Sequence, residues 1–168
     1  MNFIKTFLIT LVFYFGLNAL FLVVVIFLSP TFPIDDVFFV VSTLFSPVAS
    51  YPGDAFMSIA MLATAFDLID FMSILALIVP PLVAVVFGAL LGDSSKISFF
   101  SWFLTAVISS IVYILLLIFG QDASIILTSI WASIETIYGL IGAILYIVFA
   151  GVVNGFFYGC ISFLVSKD

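Results

Sequence analysis

Residues 72–119 read MSILALIVPPLVAVVFGALLGDSSKISFFSWFLTAVISSIVYILLLIF, in which the apolar runs 72–91 and 98–119 flank a short polar stretch that contains Lys96. A helix rises about 1.5 Å per residue, so a run of roughly 20 residues crosses the hydrocarbon core of a bilayer. The polar stretch between the runs has room only for a turn. Residues 72–119 therefore predict a hairpin of two transmembrane helices with Lys96 at the turn.

Two further apolar runs are also long enough to span a bilayer, residues 7–28 and about residues 138–165. We therefore predict an all-α integral membrane protein, a single domain over residues 1–168 built on a four-helix transmembrane bundle. The composition agrees, because 66% of the residues are hydrophobic and 7% are charged. In soluble proteins about a quarter are charged. The first run is longer than a signal-peptide core of about 7–15 residues, so we expect it to be an uncleaved span.

The orientation of the chain is predicted by its only basic residues, Lys5, Lys96 and Lys167. Lysines are enriched in cytoplasmic loops, and two crossings separate each lysine from the next. We therefore predict that both termini are cytoplasmic. The acidic residues Asp35, Asp36, Asp54, Asp67, Asp70, Asp122 and Glu135 then lie on the outer side, whereas Asp93 and Asp168 lie inside. An outer face of this charge is expected to attract cations.

Residues 37–66 are apolar but are interrupted at Ser46-Pro47 and at residues 51–54, Tyr-Pro-Gly-Asp. Pro-Gly is a strong turn signal, and the two arms, 37–45 and 55–66, are each too short to span a bilayer. We predict an outer helical hairpin that is either interfacial or re-entrant, the second being a loop whose non-helical backbone lines a wet cavity. Two additional crossings are a third interpretation.

Residues 123–137 are predicted to form an outer amphipathic helix, with Ile126, Ile130, Ile134 and Ile137 on one face. Asp122 is the expected N-cap. Gly139 and Gly142 would permit a bend into the last span. A continuous helix over 123–165 would be about 64 Å long and would project beyond the bilayer. A turn at 139–142 would give five spans and place Lys167 outside, against the lysine rule.

Glycines four residues apart occur in two of the predicted spans. Residues at that spacing share a helix face, and glycine lets a second helix approach closely. Asn154 lies beside the longer series and could supply an interhelical hydrogen bond, as could Asn18 in the first span. The helix that packs against these glycines belongs either to this chain or to a partner or a second copy. The predicted helix-packing or partner interface comprises Gly88, Gly92, Gly151, Asn154, Gly155 and Gly159.

Pro80 and Pro81 lie in the middle of the second span and predict a helix kink. Proline has no N–H, so the carbonyl groups of Ala76 and Leu77 lose their usual hydrogen-bond donors. Either a neighbouring hydroxyl, for which Ser109 and Ser110 are candidates, satisfies these carbonyls, or they form a hinge or a cation site.

Asp67 and Asp70 are three residues apart, and so they share a helix face. At the start of the second span they would be stabilised by the helix dipole. Inside the membrane, together with Asp54, they would form an ion or proton site. We predict no metal and no cofactor, because the chain has no histidine, one cysteine (Cys160) and no phosphate-binding loop. Trp102 and Trp131 are expected at the membrane interfaces.

These observations predict a non-catalytic, polytopic membrane subunit that packs against other integral membrane subunits or itself, within membrane lipids. Nucleic acid is not an expected partner, because the chain has no cluster of basic residues. The alternative is a small oligomeric cation or proton channel or transporter component that uses Asp67 and Asp70. A membrane enzyme acting through carboxylates alone is a third class, which no metal-ligand spacing supports.

Overall fold

The computed structural model describes residues 2–62, 64, 66–92 and 94–166. Lys167, Asp93 and Asp168, which contribute to the predicted charge asymmetry, lie outside these residues. The described residues form helices joined by turns and loops, with no strand among them, which confirms the all-α class. The helices are α1 (Phe3–Leu28), α2 (Val37–Thr43), α3 (Pro52–Leu62), α4 (Leu68–Leu91), α5 (Ser95–Phe119), α6 (Ile125–Gly159) and α7 (Ile161–Val165).

Four helical segments are long and apolar enough to cross a membrane, as the sequence predicts. They are α1, α4, α5 and the continuous stretch Ile125–Val165, which contains α6 and α7. The first three begin a few residues before the predicted apolar runs because a polar side chain caps each one. The caps are Asn2, Asp67 and Ser94, each of which accepts a hydrogen bond from a backbone N–H in the first turn.

The bundle is built from contacts of α1 with α4 and α5, and of α5 with α6. Glycines of α6 set its direction relative to α5, because Gly151 lies against Ser110 and Gly155 lies against Phe103. Residue numbers therefore rise along α6 as they fall along α5, and the two helices are antiparallel. Gly139, twelve residues before Gly151, lies level with the C-terminal end of α5 by the same register.

Two buried clusters form the core. The first contains Tyr14, Val48, Ala84, Val85, Trp102, Ala106 and Tyr158. The second lies near the C-terminal end of α5 and contains Ala49, Ile114, Leu117, Leu127, Trp131, Ala143 and Ile147. Trp102 and Trp131 belong to these clusters, and both side chains are buried within the protein; their location at the membrane interfaces stays a prediction. Trp102 tolerates burial because its indole N–H donates to the Asn154 carbonyl at 3.1 Å.

Helix α6 bends at Gly139, where φ is 69° and ψ is 168°. This backbone region is accessible essentially to glycine alone. The predicted N-cap is wrong: Ser124 caps α6 through its hydroxyl, which accepts from the Leu127 N–H at 3.1 Å, and Asp122 lies in the preceding 3₁₀ turn. Before this bend, Leu127 and Trp131 make the buried apolar face of α6.

The interrupted segment between α1 and α4 folds as two short helices. Helix α2 agrees with the first predicted arm, but α3 begins at Pro52, so the Pro-Gly pair starts a helix where the sequence predicts a turn. Proline suits a first helical position because its missing N–H would have no partner there. The break falls instead at residues 44–51, which include a 3₁₀ turn at Ser46–Val48.

Candidate functional site

The break between α2 and α3, residues 44–51, is inserted into the bundle and is called the hairpin tip below. Val48 of the tip is fully buried in the first core cluster, beside Tyr14 of α1 and Trp102 of α5. Backbone carbonyls in such a break have no helical partner and require donors from elsewhere. The donors that serve them come from side chains of the long helices.

Asn154 of α6 supplies the largest part of this hydrogen bonding. Its side-chain Nδ2 donates to the carbonyls of Val48 at 3.0 Å and Ser50 at 2.6 Å, and is also 3.0 Å from the Ala150 carbonyl. An amide nitrogen has two hydrogens, so it serves two of these three acceptors at full strength. The residue is 1% exposed. Asn154 therefore joins α6 to the hairpin tip in a site without water contact.

Three further hydrogen bonds fix the hairpin. Nδ2 of Asn18 in α1 donates to the Leu44 carbonyl at 2.9 Å. The Tyr51 hydroxyl donates to the Tyr146 carbonyl of α6 at 3.2 Å. At the start of α2, Asp36 accepts from the Ser124 hydroxyl at 2.6 Å and caps the helix by accepting from the Phe39 N–H. The start of α2 and the hairpin tip are thus tied to α1 and α6.

The tip lies about halfway along the bundle. Asn154 is between Gly151 and Gly155, which lie against Ser110 and Phe103 of α5. Those two residues bracket the middle of α5. The partners of Asn154 in the tip, Val48 and Ser50, therefore lie at the same central level.

The predicted glycine faces are covered by helices of this chain. A Cβ on Gly88 would meet Thr10 of α1, and one on Gly92 would meet Ser98 of α5. A Cβ on Gly155 would lie 2.7 Å from Cδ2 of Phe103, and one on Gly159 would lie 2.9 Å from Cδ2 of Phe99. These glycines therefore serve packing within the chain. A partner interface made by them stays a prediction.

Of the three predicted acidic residues, Asp67 and Asp70 lie together at the start of α4, whereas Asp54 lies on α3. Asp67 is the N-cap of α4, where Oδ1 accepts from the N–H groups of Ile69 at 2.7 Å and Asp70 at 3.2 Å. Asp54 is in the first turn of α3, where Oδ2 accepts from the Tyr51 N–H at 3.1 Å. Asp70 alone lines a cavity. Among the described residues, no three acidic or cysteine side chains converge as a metal site would require.

The cavity at Asp70 has a volume of about 380 Å³ and lies between α3 and α4, with Ser58, Thr64 and Ser73 supplying hydroxyl groups. A second cavity of about 260 Å³ shares Ser73 and Leu77 with it and extends to Asn18. The two cavities are neighbours along α4 and are together called the α4 groove below. Its inner wall includes Thr43, Ser46 and Pro47 of the hairpin, and Phe21, Leu22, Val25 and Phe32 make it largely apolar.

Two buried polar atoms, Oδ1 of Asn18 and the Tyr14 hydroxyl oxygen, have no hydrogen bond of good geometry within the described residues. The Tyr14 side chain is close to Asn18 and to the Val48 backbone, so the Tyr14 hydroxyl is a donor within reach of the Asn18 amide. Asn18 is 4% exposed, and buried polar groups of this kind are usually hydrogen-bonded.

The residues whose carbonyls are freed by Pro80 and Pro81, namely Ala76 and Leu77, also line the α4 groove. The predicted compensation by two serines of α5 is wrong. Ser110 donates to the Val107 carbonyl of its own helix at 2.9 Å, and the buried Ser109 hydroxyl has no partner within the described residues. Helix α4 nevertheless continues through both prolines from Leu68 to Leu91; the predicted kink stays a prediction.

The sequence identifies Asn154 and Asp70 as candidate functional residues, but it does not predict the hairpin tip or the cavity that these residues contact. The hydrogen bonds from Asn154 to residues 48 and 50 cross more than a hundred positions, and no local pattern encodes them. No family model matches the chain, and no curated protein or solved structure shows significant similarity to it. The function is therefore argued from these residues alone.

Proposed function

We propose that this chain is a non-catalytic, multi-pass membrane subunit with cytoplasmic termini, and that Asp54 is the centre of its contact with a partner. In this proposal the hairpin 37–62 is re-entrant and leaves the membrane on the side from which it enters. The outer half of α6 lies in the interface, beyond the bend at Gly139. The observation that carries the proposal is an exposed carboxylate at the level of the buried hairpin tip.

The depth of Asp54 follows from its neighbours. Tyr51, whose N–H binds the Asp54 carboxylate, reaches the Tyr146 carbonyl, and the adjacent Ser50 binds Asn154. On α6, Tyr146 and Asn154 lie about 10 Å and about 22 Å from Gly139 at the rise of a helix. If Gly139 marks the outer boundary, Asp54 lies near the centre of a hydrocarbon core about 30 Å thick.

The surface around Asp54 suits another transmembrane helix. Asp54 is exposed, and the neighbouring side chains Phe56 and Met57 are 58% and 67% exposed. Lys5 and Lys96 lie in the first turns of α1 and α5, at the opposite end of the bundle, and cannot reach it. The carboxylate therefore has no cation from the described residues.

A carboxylate at this depth needs a proton or a positive partner, because an aspartate at the centre of a membrane helix costs about 2.5–3.5 kcal/mol on insertion scales. A transmembrane helix with a lysine or arginine near its midpoint would supply the charge, and its apolar face would cover Phe56 and Met57. We therefore propose that class of partner.

The test is association with a designed transmembrane peptide. A polyleucine helix with one central lysine is titrated into nanodiscs that contain the protein, and binding is measured by fluorescence energy transfer. Polar contacts between membrane helices contribute about 0.6–1.7 kcal/mol. We therefore expect Asp54→Asn to weaken association roughly 3- to 20-fold.

Two controls make the result specific. Asp35→Asn removes an exposed acid outside the proposed spans and should leave association unchanged, and a peptide with leucine in place of lysine should bind equally to wild type and Asp54→Asn. Equal binding of the lysine peptide to wild type and Asp54→Asn would refute the role of Asp54. Co-purification from native membranes would then be used to identify the natural partner.

The second candidate function, a cation or proton channel or transporter component, is favoured by Asp70 at the mouth of the α4 groove. Flux into liposomes that contain the purified protein tests it. A lower rate for the double variant Asp67→Asn/Asp70→Asn than for wild type would support this function. Because Asp67 is engaged in capping α4, we expect the single variant Asp70→Asn to account for most of the loss.

A further inference from the structure

We propose that Asp54 and three tyrosines beside it, Tyr51, Tyr138 and Tyr146, form a binding site for a guanidinium group. The site rests on the proposed function and makes it more specific, because it identifies the basic residue of the partner helix as arginine rather than lysine. The three tyrosines are called the tyrosine cluster below. Their rings pack together, two of their hydroxyl groups have no described partner, and they border a carboxylate that lacks a cation.

The rings of the tyrosine cluster pack against one another. Tyr146 stacks on Tyr138 with 4.9 Å between the ring centroids, and Tyr51 meets Tyr146 edge-on with 5.0 Å between the centroids. The bend at Gly139 lies between Tyr138 and Tyr146 in the chain. The hydrogen bond from the Tyr51 hydroxyl to the Tyr146 carbonyl fixes the ring of the hairpin tip against α6. The cluster is therefore held from both α6 and the hairpin.

Part of the aromatic surface of the tyrosine cluster is open. Tyr138 is 49% exposed, and Tyr51 and Tyr146 are half-buried. The face of an aromatic ring carries negative partial charge and attracts a cation that lies within about 6 Å of the ring centroid. Arginine makes this contact more often than lysine, because a guanidinium is planar, stacks on the ring and is more weakly hydrated than an ammonium.

Asp54 borders the tyrosine cluster. Its Oδ2 accepts from the Tyr51 N–H at 3.1 Å, and its carboxylate is close enough to the hydroxyl groups of Tyr51 and Tyr146 for their charges to interact. Among the described residues, neither Oδ1 of Asp54 nor the hydroxyl groups of Tyr138 and Tyr146 make a hydrogen bond. The site therefore offers one carboxylate oxygen and two phenolic oxygens, all of which can accept.

A guanidinium matches these acceptors better than an ammonium does. It carries five N–H donors in one fixed plane, so it can donate to Asp54 and to a tyrosine hydroxyl while its face lies on a ring. An ammonium has three donors and no plane that could stack. Hydrocarbon supplies no competing acceptor at this depth, so the protein must provide every partner of the cation.

The test compares two polyleucine transmembrane peptides that differ only in the central residue, which is arginine in one and lysine in the other. Each peptide is titrated into nanodiscs that contain wild type or a variant, and association is measured by fluorescence energy transfer. The arginine preference is the lysine peptide's Kd divided by that of the arginine peptide. Comparing this ratio between proteins cancels differences that belong to the peptides themselves. We expect wild type to prefer arginine about three- to tenfold.

Two variants remove one ring each. Tyr146→Leu should bring the two peptides to nearly equal binding, and Tyr138→Leu should lower the arginine preference. Because Tyr146 also packs against the second core cluster, the more exposed Tyr138 keeps the test decisive if replacement of Tyr146 disturbs folding. The control is Phe100→Leu, which removes a 58% exposed ring from the half of α5 that contains Lys96 and should keep the wild-type preference.

The outcomes separate this site from the proposed function. If wild type binds both peptides equally, or if Tyr138→Leu keeps the wild-type preference, the guanidinium site is wrong; tyrosines that served only as an interfacial anchor would give the second result. If Asp54→Asn still weakens both peptides in that case, the contact at Asp54 stands without the tyrosine cluster. If Asp54→Asn weakens neither peptide, the proposed function is wrong, and the guanidinium site is wrong with it.

Discussion

Replacing Asn154 with leucine tests how the hairpin tip is held inside the bundle. The substitution keeps the number and branching of the side-chain heavy atoms and removes the only side-chain donor described for the carbonyls of Val48 and Ser50. Both carbonyls would remain buried, because the tip is surrounded by Tyr14, Trp102 and their neighbours. The hairpin must then either keep two unsatisfied acceptors or move towards solvent or lipid.

The magnitude follows from the number of bonds lost. Nδ2 can serve two acceptors fully, and each membrane hydrogen bond contributes about 0.6 kcal/mol on average and about 1.7 kcal/mol at most. Leaving a buried carbonyl unsatisfied costs a similar amount, about 1–3 kcal/mol. We therefore expect Asn154→Leu to lower the free energy that holds the hairpin in place by roughly 1–3 kcal/mol, which raises the open population about 5- to 150-fold.

The assay is thiol labelling of the tip in a Cys160→Ser background. Ala49 is 7% exposed, so a cysteine introduced there reacts with maleimide only when the hairpin opens. A cysteine in place of the exposed Asp35, outside the proposed spans, reports the reactivity of an open site. Asn154→Leu should accelerate labelling at position 49 by the factor given above and leave position 35 unchanged. An unchanged rate at position 49 would refute the assignment of Asn154 as the residue that holds the tip.

Three further substitutions test the packing around this site. Gly155→Ala should lower the unfolding midpoint of the protein in micelles, because the alanine Cβ would lie 2.7 Å from Phe103. The control is Gly16→Ala in α1, whose Cβ would meet nothing within 4 Å and which should be neutral or stabilising. Gly139→Ala should lower the free energy of unfolding by about 1–3 kcal/mol in the same assay, because alanine is strained at φ 69° and ψ 168°. The matched control is Gly53→Ala, where an added Cβ also meets nothing within 4 Å. Equal unfolding midpoints for the two variants would contradict backbone strain at position 139. Trp102→Phe should cost about 1 kcal/mol or more through the lost bond to the Asn154 carbonyl, and no change in the unfolding midpoint would show that this bond is dispensable.

The four long helices were predictable because each is encoded by local composition. A run of apolar residues between polar caps specifies both the existence of a membrane helix and, within a few residues, its ends. The ends differed at Asn2, Asp67 and Ser94, because capping residues are polar and so fall outside a hydropathy pattern. The bend at Gly139 was likewise predictable, because glycine is the residue that most readily adopts a positive φ.

The hairpin tip was not predictable to the same extent. Its position depends on contacts between Leu44 and Asn18, and between Val48 and Asn154, that are far apart in the chain. The Pro-Gly pair led to a wrong prediction of a turn at residues 51–54, because such a pair signals a turn in most contexts but here begins α3. The α4 groove is lined by residues of α1, α2, α3, α4 and the hairpin tip, so its lining could not be read from any one segment.

The most direct test of the account is the side of the membrane on which each end of the hairpin lies. In a Cys160→Ser background, single cysteines at Asp35, Thr64 and Lys96 are labelled in intact cells with a membrane-impermeant thiol reagent. A re-entrant hairpin predicts that positions 35 and 64 react from outside, while position 96 reacts only after permeabilisation. Labelling of positions 35 and 64 from opposite sides would mean that the segment crosses the membrane, and would contradict the account.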